Sequence, residues 1–352
     1  MKRKEWAVLL LLMLVVGSAA YGLFSYKSAT TTDSTKQAAP SASSDTATKD
    51  IPDSTPGVRL WVTRDFGATV LFDKRVPLTE GQTVMEVLKK NVSGVETAYN
   101  GGFVDSIQGL ASAYSPSDAN SKKLDWFYSV NGLMAEIGSA EYPLQNNDVV
   151  WWDYHDWDYA MRTPGQIGAF PHPFVKRETG ESIPVQIMVM KGSEKVAGQL
   201  AESLSKAKAQ EVKVVDWNEA LFDQEQALIL VGERNALLTS PFVNKIWKER
   251  DSLGIFAALT QEGIQLYDQL GKANQILGDD NSSVLVSTKN PTNLLPILVV
   301  SGNSQKALEL ASNQLINLAK DQSSGLRMHY GAALDGEKII RLPILPAAGA
   351  TP

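Results

Sequence analysis

Six aromatic side chains, Trp126, Tyr128, Trp151, Trp152, Tyr154 and Trp157, crowd one short stretch and include four of the eight tryptophans of the chain. Flat rings at that density offer stacking surfaces for a macrocycle, a sugar ring or a partner protein. Trp151 and Trp152 are neighbours, and successive side chains on a strand point to opposite faces, so the two indoles cannot enter one core. One of them is expected to be exposed, to line a groove, or to meet a second domain. The six residues Asp153-Tyr154-His155-Asp156-Trp157-Asp158 add three carboxylates and an imidazole. Such a set has donors for a metal, although the spacing lacks the glycine of an EF-hand loop. Its plainer reading is a solvated turn after a strand, and no metal ligand is assigned.

Other chemistry finds less support. His172 sits between two prolines and His329 lies in a Gly- and Tyr-containing stretch, neither with a carboxylate nearby in sequence. There is no G-x-S-x-G elbow and no G-x-G-x-x-G, and Gly271-Lys272 lacks the glycine run and hydroxyl of a phosphate loop. No residue is assigned a catalytic role, no cofactor is required, and the chain is read as a binding protein and not an enzyme. With no cysteine there is no disulfide and no thiolate chemistry. A net charge of −6 with both signs interspersed argues against a nucleic-acid partner.

The elements that must position the aromatic cluster are read as follows. An apolar run from Trp6 to Phe24 follows Lys2, Arg3 and Lys4. As a helix it would be about 28 Å long, close to the hydrocarbon thickness of a bilayer. Residues 1–26 are therefore expected to be a signal anchor, single-pass, with a cytoplasmic N-terminus and the bulk of the chain extracytoplasmic. Ser18 and Ala20 also have the spacing of a cleavage site, which would give a secreted protein. Residues 27–57, rich in Ser, Thr, Ala, Asp and Pro, read as a disordered tether.

Residues 58–173 show short strands around one helix. Val58–Phe66 and Ala68–Lys74 form an expected hairpin. Thr83 with Glu86 makes a capping box, and Val84, Val87 and Leu88 should face a sheet. Leu124–Val130 alternates, with Trp126, Tyr128 and Val130 on one face and Phe127 on the other, and Asn131-Gly132 closes it as a tight turn. Val149–Tyr154 is aromatic on both faces. That order, strand, strand, helix, strand, strand, is that of a β-grasp sheet. Residues 183–345 alternate buried strands (Ile183–Met190, Glu211–Asp216, Ala227–Gly232, Val284–Ser287, Leu295–Ser301) with helical patterns at Ser193–Ala209, Asn235–Arg250 and Ser304–Ala319. The expected fold is an α+β β-grasp domain followed by an α/β layered domain with a largely parallel sheet, behind a transmembrane anchor.

The stretch WFYSVNGLMAEIGSAEYPLQNNDVVWWDY, together with GQTVMEVLKK and YNGGFVDSIQGL upstream, resembles the transcobalamin-like C-terminal domain of bacterial surface proteins and vertebrate cobalamin carriers. The resemblance covers about residues 58–157. The helical barrel of the vertebrate carriers has no counterpart here. ALILVGERN and ILVVSGNSQKALELA are faintly similar to non-catalytic α/β domains beside glycosidase and cellulose-synthesis modules. The resemblance implies a corrinoid-like small molecule, cobalamin in particular, as ligand, and an importer in the same membrane as partner. The ligand-binding set is then Trp126, Tyr128, Asn131, Trp151, Trp152, Tyr154, His155 and Trp157, with His155 a candidate axial ligand to cobalt. The competing reading is a structural or adhesion module at the cell surface that binds a protein or a wall glycan.

Overall fold

The computed structural model describes residues 50–98, 101–115, 117–118, 120–320 and 324–346. The anchor and most of the tether lie outside the described residues. No described helix is long and apolar enough to cross a membrane. The described residues form one compact unit, of the α+β class, with mixed sheets and few helices.

The first sheet has five strands in the order β2-β1-β8-β6-β7: β1 (Gly57–Arg64), β2 (Thr69–Pro77), β6 (Leu124–Val130), β7 (Leu133–Met134) and β8 (Val149–Asp156). β1 and β8 are parallel and the other pairs antiparallel. Helix α1 (Val84–Asn91) begins at the expected capping box: Thr83 Oγ1 accepts from the Glu86 amide at 3.3 Å and the Glu86 carboxylate from the Thr83 amide at 2.8 Å. Val84, Val87 and Leu88 are buried, packed in one core with Leu60, Val62, Trp126, Val130 and Trp152 from the sheet. The polar insertion contributes a separate small sheet of β3 (Val95–Ala98), β4 (Phe103–Ile107) and β5 (Leu110–Ala111).

The second sheet runs β10-β9-β11-β16-β15-β17-β18. Its strands are β9 (Val185–Val189), β10 (Val212–Asp216), β11 (Ala227–Glu233), β15 (Ser282–Lys289), β16 (Pro296–Gly302), β17 (Gly331–Asp335) and β18 (Lys338–Leu342). The first four in spatial order are parallel, but β15, β17 and β18 add antiparallel ladders, so the sheet is mixed where a largely parallel one was expected. Helices α2 (Glu194–Lys206) and α5 (Gln305–Lys320) bury Val196, Leu200, Leu204, Leu308, Leu315 and Leu318 in one core against it. The helix expected over Asn235–Arg250 is two pieces, α3 (Arg234–Leu237) and α4 (Pro241–Lys248). Ser240 caps α4 through the Val243 amide and Pro241 supplies its first turn, so the chain breaks there. A third antiparallel sheet, β12 (Ala257–Leu259), β13 (Ile264–Tyr267) and β14 (Ala273–Leu277), completes the fold.

The two larger sheets share a core. Trp61, Phe66, Val149 and Trp151 from the first pack with Phe256, Val284, Val286, Met328 and Tyr330 from the second part of the chain. The first sheet is therefore covered on both faces, by α1 on one and by the second half of the chain on the other. That explains why β8 is buried residue after residue from Val149 to Asp153.

Candidate functional site

The alternation of β6 and β8 divides the aromatic residues between two environments. Trp126 opposes Tyr154, Tyr128 opposes Trp152 and Val130 opposes Val150, all on the α1 face. Trp152 and Tyr128 stack with centroids 5.1 Å apart, and Trp126 and Tyr154 lie 5.3 Å apart, tilted. At one end of this face the rings floor a cleft of about 170 Å³, with Phe127 and Tyr128 half-buried and Trp126 and Trp152 buried behind them. Trp126, Phe127, Tyr128 and Trp152 meet Gly102, Phe103 and Val104 on one side and Met134, Ala135, Gly138 and Ser139 on the other. Phe103 is 40% exposed at this rim. The rings are held from behind. Trp126 Nε1 donates to Leu110 O at 2.8 Å, Tyr154 Oη to Ala111 O at 2.7 Å and Tyr128 Oη to Ile137 O. Burial raises the Tyr128 hydroxyl well above its ordinary range, so it stays a neutral donor. The cleft is apolar, shallow and walled by one flat stack.

The opposite face of β8 is closed. Trp151 is 2% exposed and Trp152 3%; of the three expected outcomes the last fits, because the Trp151 ring packs against the second half of the chain. Trp151 meets Trp61 edge to face at 5.6 Å and Tyr330 at 4.9 Å, and donates from Nε1 to Thr63 Oγ1 at 2.7 Å.

The acidic run is not a turn through most of its length, because β8 continues to Asp156. Asp153 is buried and its carboxylate accepts from the amides of Phe66 (3.0 Å) and Gly67 (2.9 Å), from Thr63 Oγ1, and from His155 Nδ1 at 2.8 Å. The Tyr330 ring packs edge to face with His155 at 5.5 Å, and its hydroxyl is raised far above its ordinary range by burial and by the charge of Asp153. Burial lowers the nearby Arg341 guanidinium to about 10, against the pull of Asp153. His155 is 2% exposed and lies between Phe66 and Phe127, centroids 4.4 and 4.7 Å away. Asp65 and Asp125, both raised chiefly by burial, are close enough to His155 to interact electrostatically. No group of three or more His, Asp or Glu among the described residues is arranged to hold a metal. This network closes the turn between β1 and β2, where Asp65, Phe66 and Gly67 all have positive φ. A side chain at Gly67 would place its Cβ 2.1 Å from Met328 O.

The remaining residues of the expected set are placed apart from the cleft. Asn131 is fully buried; its amide side chain donates to Asp148 and to Arg177 O and accepts from the Val149 amide at 3.0 Å. It fixes the start of β8 and is not a ligand group in this arrangement. Trp157 is half-buried against Tyr114, with Lys123 Nζ 5.4 Å from its ring. The cleft residues Phe103, Met134, Ala135 and Ser139 had no signal in sequence, since they become walls only when the insertion and β7 fold over β6.

A family model described as "Domain of unknown function (DUF4430)" matches residues 81–156. That span lies within the part of the chain resembling the transcobalamin-like family and is less than half of the whole. No curated protein matches the chain. Among solved structures, one provisionally described as a metal binding protein from Ruminococcus gnavus ATCC 29149 is 14% identical, covering 29% of this chain and 97% of that one at a TM-score of 0.22. A likeness that low carries no argument about fold or ligand.

Proposed function

We propose that the protein is a membrane-tethered extracytoplasmic binding protein whose β-grasp part seats one flat ring of a ligand in the cleft over Tyr128 and Trp152. The stacked pair carries this reading: an aromatic floor at 5.1 Å spacing, of which the Tyr128 ring is partly uncovered and flanked by apolar walls, favours a ring laid face to face or edge to face on Tyr128. The family match over residues 81–156 supports a ligand-binding role. Cleft volume bounds the ligand. At about 170 Å³ it is smaller than the roughly 300–1,000 Å³ that encloses a whole drug-sized molecule. A corrinoid would therefore enter by its nucleotide base or one edge of the macrocycle, with the rest outside, for delivery to an importer in the same membrane.

The same volume favours one other reading, a surface module that takes a single sugar ring of a wall glycan or an aromatic side chain of a surface protein. Gel filtration of the full-length protein with cobalamin separates the two. Co-elution of corrinoid absorbance, lost in Tyr128→Ala, supports the corrinoid. Absence of that absorbance at high micromolar protein removes it, and retention of wall polysaccharide by the wild type but not by Tyr128→Ala would establish the alternative.

A further inference from the structure

We infer that a second crevice, of about 510 Å³ beside the β1–β2 hairpin, is an oxyanion site that takes the carboxylate or phosphate group of a small acidic ligand. It shares no lining residue with the aromatic cleft, so it stands independently of the function proposed above. Three guanidiniums line it, from Arg59, Arg75 and Arg327, together with Asn147 and His172.

Arg59 and Arg75 oppose each other directly across the antiparallel β1–β2 pair. Like charges in that relation repel, so an ordinary hairpin avoids it. Arg327 arrives from the far side of the chain with its guanidinium 5.0 Å from the Trp61 ring, which holds it flat and partly desolvated. Against these three cations there is one carboxylate from the sheet, Asp73, and a single oxygen of it serves both Arg59 and Arg327. Asp50 bonds Arg59 Nη1 at 2.6 Å but is half exposed, and Asp53 is fully exposed with its oxygen 3.6 Å from Arg75 Nε. Contacts of that kind are screened by solvent. The hydrogen bonds of the Arg75 guanidinium go to main-chain oxygens, Gly57 O at 3.2 Å and Thr55 O at 3.0 Å. Among the described residues Arg327 makes one hydrogen bond, from Nη2, of the five its guanidinium can donate. Burial lowers His172 to about 4, so it enters the crevice as a neutral ring.

The result is a concave site whose three guanidiniums have one carboxylate partner shielded from solvent, Asp73, with Arg75 Nε and Arg327 Nε buried without a hydrogen-bond acceptor and room for a small molecule. Guanidinium forks match the paired oxygens of carboxylate and phosphate, and a low-dielectric wall focuses their field. Asp53 lines the crevice and is fully exposed, so its charge opposes an incoming anion.

Calorimetry on the full-length protein at low salt, titrated with inorganic phosphate and separately with citrate, tests the site and separates the two sources. Saturable binding of either, weakened roughly tenfold in Arg327→Gln and tightened severalfold in Asp53→Asn, supports it. Asp53 is fully exposed, so its variant decides the matter even if Arg327→Gln fails to fold. No saturable heat with either anion at about 10 mM, or an affinity unmoved in Asp53→Asn, would overturn the proposal.

Discussion

His155 donates from Nδ1 to Asp153 Oδ2 at 2.8 Å, two positions apart on one strand and both sealed beneath the second half of the chain. The pair joins three elements, since the same carboxylate captures the amides of Phe66 and Gly67 while the His155 ring packs against Tyr330 at 5.5 Å. A buried carboxylate with this many donors is costly to replace, because each donor left without an acceptor is desolvated for nothing.

Asp153→Asn is therefore expected to destabilise the folded unit by about 3 kcal/mol, with the amide repelling at least one of the present donors. Urea unfolding at pH 7 measures it. A loss below about 1 kcal/mol would mean that the turn at Phe66 holds without the carboxylate.

The two neighbouring tryptophans should separate folding from binding. Trp151→Ala empties the shared core and is expected to cost about 3–5 kcal/mol while leaving the cleft lining intact. Tyr128→Ala removes a half-buried ring from the cleft floor, with a smaller stability cost but loss of most ligand affinity. If instead Trp151→Ala abolished binding at full stability, the site would lie on the other face of β8.

Why the sequence exposes one part of this arrangement and hides another follows from the range of the interactions. The capping box, the Asn-Gly turn and the alternation Trp126, Tyr128, Val130 are local patterns, and each element appears where those patterns place it. The indole argument for Trp151 and Trp152 also needs only the strand period. What covers the second face does not. Asp153 and His155 read as a solvated turn because charge usually marks the surface, and only amides some ninety residues upstream and Tyr330 far downstream make them core. β17 was invisible for a different reason: Gly331, Ala332 and Ala333 are small, and their burial comes from lying between β15 and β18. β14 is exposed along most of its length and shows no apolar alternation.

Lys289 on β15 ties the cleft wall to the second half of the chain. It is 4% exposed and reaches Glu136 at 3.0 Å, Glu178 at 2.9 Å and Met134 O at 3.2 Å, the last being the carbonyl of a cleft residue. Lys289→Met would leave buried Glu178 with only Arg177 Nε, 3.7 Å away, as its cation, and a loss of about 3 kcal/mol is expected. Adding Glu178→Gln should restore part of it, because the poorly compensated charge goes. A double variant no more stable than the single one would show that the ion pair is not the source of the cost.

Stability should also fall on mild acidification through buried His329 and half-buried His172. Burial, and then Arg341, holds His329 down to about 4, from 6.5 in an unfolded chain, and burial does the same to His172. Near pH 7 both states are neutral and the histidines contribute no pH dependence. Below about 6.5 the unfolded chain takes up protons that the folded one refuses, so stability declines by up to about 1.4 kcal/mol per pH unit for each histidine until pH nears 4. Asp65 and Asp125, raised by burial, bind protons more readily when folded and oppose this trend at the acid end. The histidine effect is therefore isolated between pH 6.5 and about 5. Denaturation midpoints across that interval should drop in the wild type and drop less in His329→Asn, whose side chain cannot take a proton. Parallel slopes in the two proteins would show that His329 becomes protonated in place, and that the cover over it opens before the fold is lost.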